Sequence, residues 1–155
     1  MSTRQHFLHS RLTFMLFIAL FACIFNSSAH AARTVQLEWR VISASHKKGN
    51  VDPRLKDIYQ NLGAIFNYNS YRLVNMNRLA LSPAQQVSVP LSRNKTFVIK
   101  VTRVTNQWVH VQIQLLKGDQ SIFGTAVRLM NGRTLLIGGP SDHGKILIFS
   151  LRSFW

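Results

Sequence analysis

The sequence predicts an α+β fold: mainly an antiparallel β-sheet or sandwich, with one amphipathic helix packed on a sheet face. Three observations predict it. Residues 33–45 alternate between apolar and polar side chains, a single helical repeat follows, and the rest of the chain is a series of short apolar runs separated by turn residues. One helix with an apolar stripe among half-buried strands buries that stripe most simply against a sheet, which gives a layered domain.

The first 31 residues are typical of a cleavable secretory signal peptide. Two arginines precede an uncharged apolar run over residues 12–25, and Ala29 and Ala31 supply the small residues that a signal peptidase reads. The apolar run is shorter than the roughly 20 residues that a membrane-spanning helix needs. We therefore predict cleavage after Ala31, a single β-rich domain over residues 32–155, and a periplasmic or secreted location.

Cys23 keeps lipidation open as an alternative. The stretch Leu20-Phe21-Ala22-Cys23 loosely resembles a bacterial lipobox, although Phe21 is bulky for that pattern and the apolar run continues beyond the cysteine. If cleavage follows Ala31 instead, the exported chain contains no cysteine. Its stability must then come from an apolar core, because no disulfide can form.

The first predicted element after this segment is a half-buried strand over residues 33–45. Its two faces differ with a period of two, which is typical of a strand with one face in a core. We expect this strand to pair with one late in the chain. The apolar face carries Val35, Leu37, Trp39 and Val41, and the other face carries Gln36, Glu38, Arg40 and Ile42.

A helix over Pro53–Phe66 is the second predicted element. Asp52 is a good N-cap and Pro53 suits the first helical position. Gly63 weakens the last turn, so it could end the helix early. The apolar residues recur at helical spacing and favour packing against a sheet over a membrane or partner helix. They are Leu55, Ile58, Tyr59, Leu62, Ile65 and Phe66.

Turn residues divide the rest of the chain into seven predicted strands. Asn131-Gly132 is the strongest hairpin signal, because both residues tolerate the positive φ of a type I′ turn, and residues 117–120 suit a four-residue hairpin loop. From residue 96 onward we expect an antiparallel meander of five strands. The strands are Tyr71–Leu81, Gln86–Leu91, Thr96–Val104, Trp108–Leu116, Ser121–Met130, Thr134–Gly138 and Lys145–Phe154.

Two of these strands contain stretches that are apolar on both faces, Leu135–Ile137 and Ile146–Phe149. A glycine-rich segment over residues 138–144 joins them. Strands that are buried on both sides lie in the middle of a sheet. Both stretches are therefore predicted to belong to central strands.

Four short stretches resemble those of a class of small exported bacterial proteins rich in β-structure. They are Val51-Asp-Pro-Arg-Leu, Asn69-Ser-Tyr-Arg-Leu, Gly-Arg-Thr-Leu-Leu-Ile-Gly-Gly-Pro over residues 132–140, and Ile-Leu-Ile-Phe over residues 146–149. The similarity extends over most of the chain after residue 31 and lies at turns and buried strands. It implies a bacterial cell-envelope setting and carries over no functional residue.

The charge of the chain is strongly one-sided. It has 19 Lys and Arg against 5 Asp and Glu, and only Arg4 and Arg11 among the basic residues precede residue 32. The predicted mature domain therefore keeps 17 basic and 5 acidic residues, a formal charge of +12. Such an excess favours anionic partners. Outside the cytoplasm we expect an anionic envelope component or an acidic protein, with peripheral membrane contact as a further option and nucleic acid disfavoured.

The candidate binding residues are Arg128, Arg133, Lys47, Lys48 and Lys100. Arg128 and Arg133 flank the predicted hairpin turn, so a tight hairpin would hold them near one another. Lys47 and Lys48 lie in a polar loop after the first strand, and Lys100 belongs to a third basic group. Basic side chains beside aromatic ones are typical of surfaces that recognise polyanions, sugars or proteins.

Catalytic and metal-binding patterns are weak in this sequence. The three histidines after residue 31 show no paired ligand spacing, and neither a nucleophile elbow nor a phosphate loop is present. We therefore predict no metal, no cofactor, and a non-enzymatic envelope protein that binds an acidic partner or helps to assemble an envelope complex. The alternative is a small hydrolase or metal-dependent enzyme acting on an acidic polymer, with Asp142 and His143 as its candidate residues.

Overall fold

Most of the polypeptide after residue 34 is β-strand. The computed structural model describes residues 33–142 and 144–155, and only the backbone of Asp142. The predicted signal peptide, Cys23 and His143 lie outside the described residues. In chain order the elements are β1 (Val35–Ser45), a 3₁₀ turn (Pro53–Leu55), α1 (Tyr59–Phe66), β2 (Ser70–Leu81), β3 (Gln86–Ser92), β4 (Lys95–Val104), β5 (Trp108–Lys117), β6 (Gln120–Met130), β7 (Thr134–Asp142) and β8 (Lys145–Phe154).

The strands form two four-stranded sheets. Sheet A has the order β2-β1-β8-β7 and sheet B the order β3-β4-β5-β6. All neighbouring strands within each sheet run antiparallel. The predicted α+β fold, an antiparallel sandwich with one packed helix, is confirmed. So is the pairing of the first strand with a late one, because Gln36 of β1 lies opposite Phe154 of β8.

The main apolar core lies between the two sheets. One face of β1 contributes Trp39, which is 1% exposed, and the facing strands of sheet B contribute alternate residues that are fully buried. Phe97 of β4 and Phe149 of β8 stack across the core with ring centroids 4.6 Å apart and planes at 1°. The period-two alternation of each strand therefore fixes which side chains of sheet B point inward and which point to solvent.

A second, smaller core lies on the other face of sheet A, against the helical segment. Leu55 and Leu62 are fully buried there against Ile148 of β8 and Tyr71 of β2. The Tyr71 hydroxyl accepts a hydrogen bond from the backbone N–H of Tyr68 and donates one to the carbonyl of Leu62, each at 3.1 Å. The expectation that the helix covers one sheet face is confirmed.

The helix itself is shorter than predicted. Asp52 does act as a cap, accepting a hydrogen bond from the backbone N–H of Arg54 at 3.0 Å, but it caps the 3₁₀ turn. Ile58, at φ −117° and ψ 1°, leaves helical geometry and separates that turn from α1. The helix runs past Gly63 to Phe66 and is capped by Asn67, which adopts the left-handed conformation. No helix in the described part of the chain is long and apolar enough to cross a membrane.

The predicted hairpin at residues 131–132 is wrong. β6 and β7 belong to different sheets, so the chain crosses here from sheet B to sheet A, and the expected five-strand meander ends at β6. The turn is closed by the N–H of Arg133 bonding the carbonyl of Met130 at 3.1 Å. Of the two turn residues Asn131 and Gly132, only Gly132 has a positive φ, 69°, whereas a type I′ turn needs a positive φ at both. The Asn131 side chain instead bonds the backbone N–H and carbonyl of Trp155, at 3.3 and 3.1 Å.

Of the two strands predicted to be central, one is central and the other is not. β8 is central in sheet A, and its Ile148 and Phe149 are fully buried, as expected. β7 is an edge strand whose apolar residues are only partly buried, so that prediction is wrong. β1, predicted to be half-buried, is covered on both faces over most of its length: Glu38 is 6% exposed and Arg40 is 8% exposed.

Candidate binding surface

The outer face of sheet B is open to solvent. In β5 the core residues Val109, Val111 and Ile113 alternate with Trp108, His110 and Gln112, which therefore point away from the core. In β4 the same alternation turns Lys100 outward, and in β6 it turns Arg128 outward, both of them exposed. The face is thus assembled from the residues that lie between core positions on three adjacent strands.

An aromatic and basic cluster lies at one end of this face. The guanidinium carbon of Arg128 is 5.5 Å from the centroid of the Trp108 ring, a cation–π distance. The Trp108 and His110 rings meet edge to face, with centroids 6.4 Å apart and planes at 71°. A shallow groove of about 350 Å³ runs beside them, bordered by His110, Gln112 and Arg128. A flat ring, an imidazole and a guanidinium are therefore presented side by side.

A β-bulge adds a further cation that the sequence pattern did not indicate. The pairing of β4 with β5 shifts between Val101 and Arg103. Val101 and Val104 both pack towards the core, so Thr102 and Arg103 lie together on the outer face. Arg103 lies opposite His110, which also lies opposite Arg128 on the next strand. The two arginines therefore flank one histidine across three strands.

The strands of sheet B carry no carboxylate. Residues of β3 to β6 include five cations and no Asp or Glu, and Asp119 belongs to the turn between β5 and β6. The outer face therefore has no opposite charge within its own sheet. The five cations of these strands are Lys95, Lys100, Arg103, Lys117 and Arg128, of which Lys100, Arg103 and Arg128 lie on the outer face.

On the sheet A side of the molecule, in contrast, Arg40, Arg54 and Arg78 are paired with carboxylates. Arg40 holds Asp57 with two hydrogen bonds, of 2.6 and 2.8 Å, and holds Glu38 with one of 3.1 Å. Arg78 of β2 pairs with the second oxygen of Glu38. In the 3₁₀ turn, Arg54 pairs with Asp52 at 2.7 Å.

These pairs shift the titration of the groups that form them. The hydrogen bond from Arg40 lowers the pKa of Asp57, and the same bond raises the pKa of Arg40. The side-chain hydrogen bond from Arg54 lowers the pKa of Asp52. Three of the five acidic residues after residue 31 are thus engaged with arginines on the sheet A side of the molecule. On sheet B, Lys100, Arg103 and Arg128 of the outer face are exposed.

The five candidate residues from the sequence lie in three places. Lys100 and Arg128 share the outer face of sheet B, separated by one strand. Arg133 lies at the crossing between sheets and is not paired with Arg128 across a hairpin, because that hairpin does not exist. Lys47 and Lys48 follow the end of β1 in an exposed loop, at the end of the sandwich opposite to the one where Arg128 and Arg133 lie; a strand of this length spans roughly 30 Å.

The residues of the alternative enzyme are only partly described. His143 lies outside the described residues, and Asp142, the last residue of β7, is described by its backbone. Within residues 33–142 and 144–155 there is no group of three His, Cys, Asp or Glu side chains placed to hold a metal ion.

Comparison with models of protein families, with curated proteins and with solved structures finds nothing that matches this chain.

Proposed function

We propose that this protein is a non-enzymatic envelope protein that binds an anionic polymer through the outer face of sheet B. The observation that carries the proposal is the composition of that face: exposed cations beside a half-buried tryptophan, on strands without a carboxylate. The predicted signal peptide supports an envelope location.

The arrangement suits an extended, flexible polyanion. Lys100, Arg103 and Arg128 spread charge over three strands, while Trp108 offers a ring for stacking beside Arg128. Exposed charge pairs contribute little one by one, typically about 0.2–1 kcal/mol, so affinity must come from several contacts at once. Attraction between exposed charges is screened over about 8 Å at physiological ionic strength, so binding should weaken as salt rises.

The test is retention on immobilised heparin across a sodium chloride series. The double variant Lys100→Gln, Arg128→Gln should elute at clearly lower salt than the wild type, because it removes two cations of the outer face. The control variant Lys47→Gln, Lys48→Gln removes the same charge from an exposed loop at the other end of β1. It should elute close to the wild type.

Both variants alter exposed side chains, so their stability should stay within about 0.5 kcal/mol of the wild type. Urea unfolding checks this before the columns are compared. Equal loss of retention in the two variants would mean that net charge alone acts and that the outer face has no special role. Failure of the wild type to bind at low salt would overturn the proposed function.

A further inference from the structure

A cavity of about 370 Å³ lies at the end of the sandwich where β1 ends, and side chains from both sheets line it. Its basic side chains are Arg72, Lys95 and Lys145, and its apolar ones include Val74, Leu91 and Leu147. A volume of this size falls within the range of small-molecule sites, about 300–1,000 Å³. The outer face of sheet B contributes none of these residues.

A second cavity of about 280 Å³ borders the first. Both are lined by Lys95 and Leu147, and the second adds Lys117, Ile122 and Pro140. Val74 is 38% exposed and Ile122 is 37% exposed, so apolar surface is accessible at this end rather than sealed into the core. The two cavities together are lined by apolar side chains and by the basic side chains Arg72, Lys95, Lys117 and Lys145.

The whole end of the sandwich is strongly basic. The strand ends and turns that meet there carry seven cations, against Asp119 and Asp142 as acidic residues. A ligand for this end must therefore be anionic, and the apolar lining requires that part of it be hydrocarbon. The cations are Lys47, Lys48, Arg72, Arg93, Lys95, Lys117 and Lys145.

We propose that this end of the sandwich binds an anionic phospholipid. The phosphate lies between Arg72 and Lys145, and the first part of an acyl chain lies against Leu91 and Leu147. A phosphate accepts charge-assisted hydrogen bonds from both cations, while the hydrocarbon covers the apolar lining. This ligand, unlike a free phosphate or a sugar polymer, contacts both the basic and the apolar side chains of the cavity.

The test is an isothermal titration calorimetry experiment in which the full exported protein is titrated with dihexanoyl phosphatidylglycerol below the critical micelle concentration of the lipid. We expect saturable binding. Glycerol phosphate, which lacks the acyl chains, and dihexanoyl phosphatidylcholine, which lacks the net negative charge, should each bind at least tenfold more weakly. The variant Arg72→Gln, Lys145→Gln should weaken binding by about tenfold, as expected for the loss of two exposed ion pairs.

The control variant Lys47→Gln, Lys48→Gln removes the same charge from the same end without altering the cavity lining, and it should bind like the wild type. The Lys100→Gln, Arg128→Gln variant should also keep lipid binding, which separates this site from the outer face of sheet B. No saturable binding, equal binding of glycerol phosphate, or equal loss in the Lys47 and Lys48 control would each overturn the proposal.

Discussion

Gly139 of β7 lies so close to Phe149 of β8 that only a hydrogen fits between them. A Cβ atom at residue 139 would lie 2.5 Å from Cε2 of Phe149 and 3.0 Å from the carbonyl oxygen of Leu147. Phe149 is fully buried and stacks on Phe97, so its ring has little room to move. Gly139→Ala therefore forces either an aromatic ring or a strand out of place.

The cost of such overpacking is typically about 1–3 kcal/mol. Residues 32–155 comprise 124 residues. With an unfolding entropy of about 2.1 cal/mol/K per residue, this loss lowers the melting temperature of that domain by roughly 4–12 °C. Thermal unfolding followed by circular dichroism, supported by urea titration, measures the difference between the purified variant and the wild type.

The same substitution at Gly63 is a matched control with the opposite expected sign. A Cβ atom there would meet no atom within 4 Å, and Gly63 lies inside α1, where alanine is favoured over glycine by up to about 1 kcal/mol. Gly63→Ala should therefore raise the melting temperature. If Gly139→Ala is as stable as the wild type, β7 and β8 do not approach each other as closely as described.

Two further predictions concern the polar contacts of sheet A. Arg40 lowers the pKa of Asp57, so the pair stabilises the fold above the ordinary aspartate pKa of about 3.9, and this stability is lost as pH falls through the lowered value. Asp57→Asn should accordingly have a lower urea midpoint at pH 7 and approach the wild type at pH 3; a constant difference would contradict the pairing. Tyr71→Phe removes the hydroxyl that bonds Leu62 and Tyr68 and should cost about 0.5–1.5 kcal/mol in urea unfolding, whereas no change would show that these bonds add nothing.

The strand content of this chain could be predicted because most strands alternate cleanly. In β5, for example, successive core residues from Val109 to Leu115 are separated from each other by one outward-facing residue, and this period of two is visible in the sequence. The turns at residues 105–107 and 117–120 likewise join strands that do pair with each other. The sequence pattern was therefore sufficient to predict strands that pair with their neighbours along the chain.

The errors come from contacts that no local pattern encodes. Asn131-Gly132 satisfies the composition of a hairpin, but the Asn131 side chain is held by the backbone of Trp155, 24 residues along the chain, and the strand that follows joins the other sheet. Leu135–Ile137 is apolar throughout and yet lies in an edge strand, since apolarity does not state the strand order. The assignment of strands to sheets therefore had to come from the structure.

The candidate surface was predictable only in part. Lys100 was named as part of a basic group and Arg128 because it flanks the predicted hairpin turn; the hairpin is wrong, but the structure places both residues on one face. Arg103 was missed because the bulge after Val101 breaks the alternation that decides which side chains point outward. The alternation of Val101 and Val104, spaced by three instead of two, was the signal in the sequence that could have indicated it.

The central position of β1 has a consequence for the order in which the molecule can fold. Its hydrogen-bonding partners are β2, which follows soon after it, and β8, which begins only at Lys145. Until residues 145–154 are available to pair, one edge of β1 keeps its backbone hydrogen-bonding groups unpaired. An unpaired apolar edge is a template for association with other chains. Pairing over so long a separation is also slow to form. Such a sheet completes itself late, which agrees with a chain that is predicted to cross a membrane before it folds.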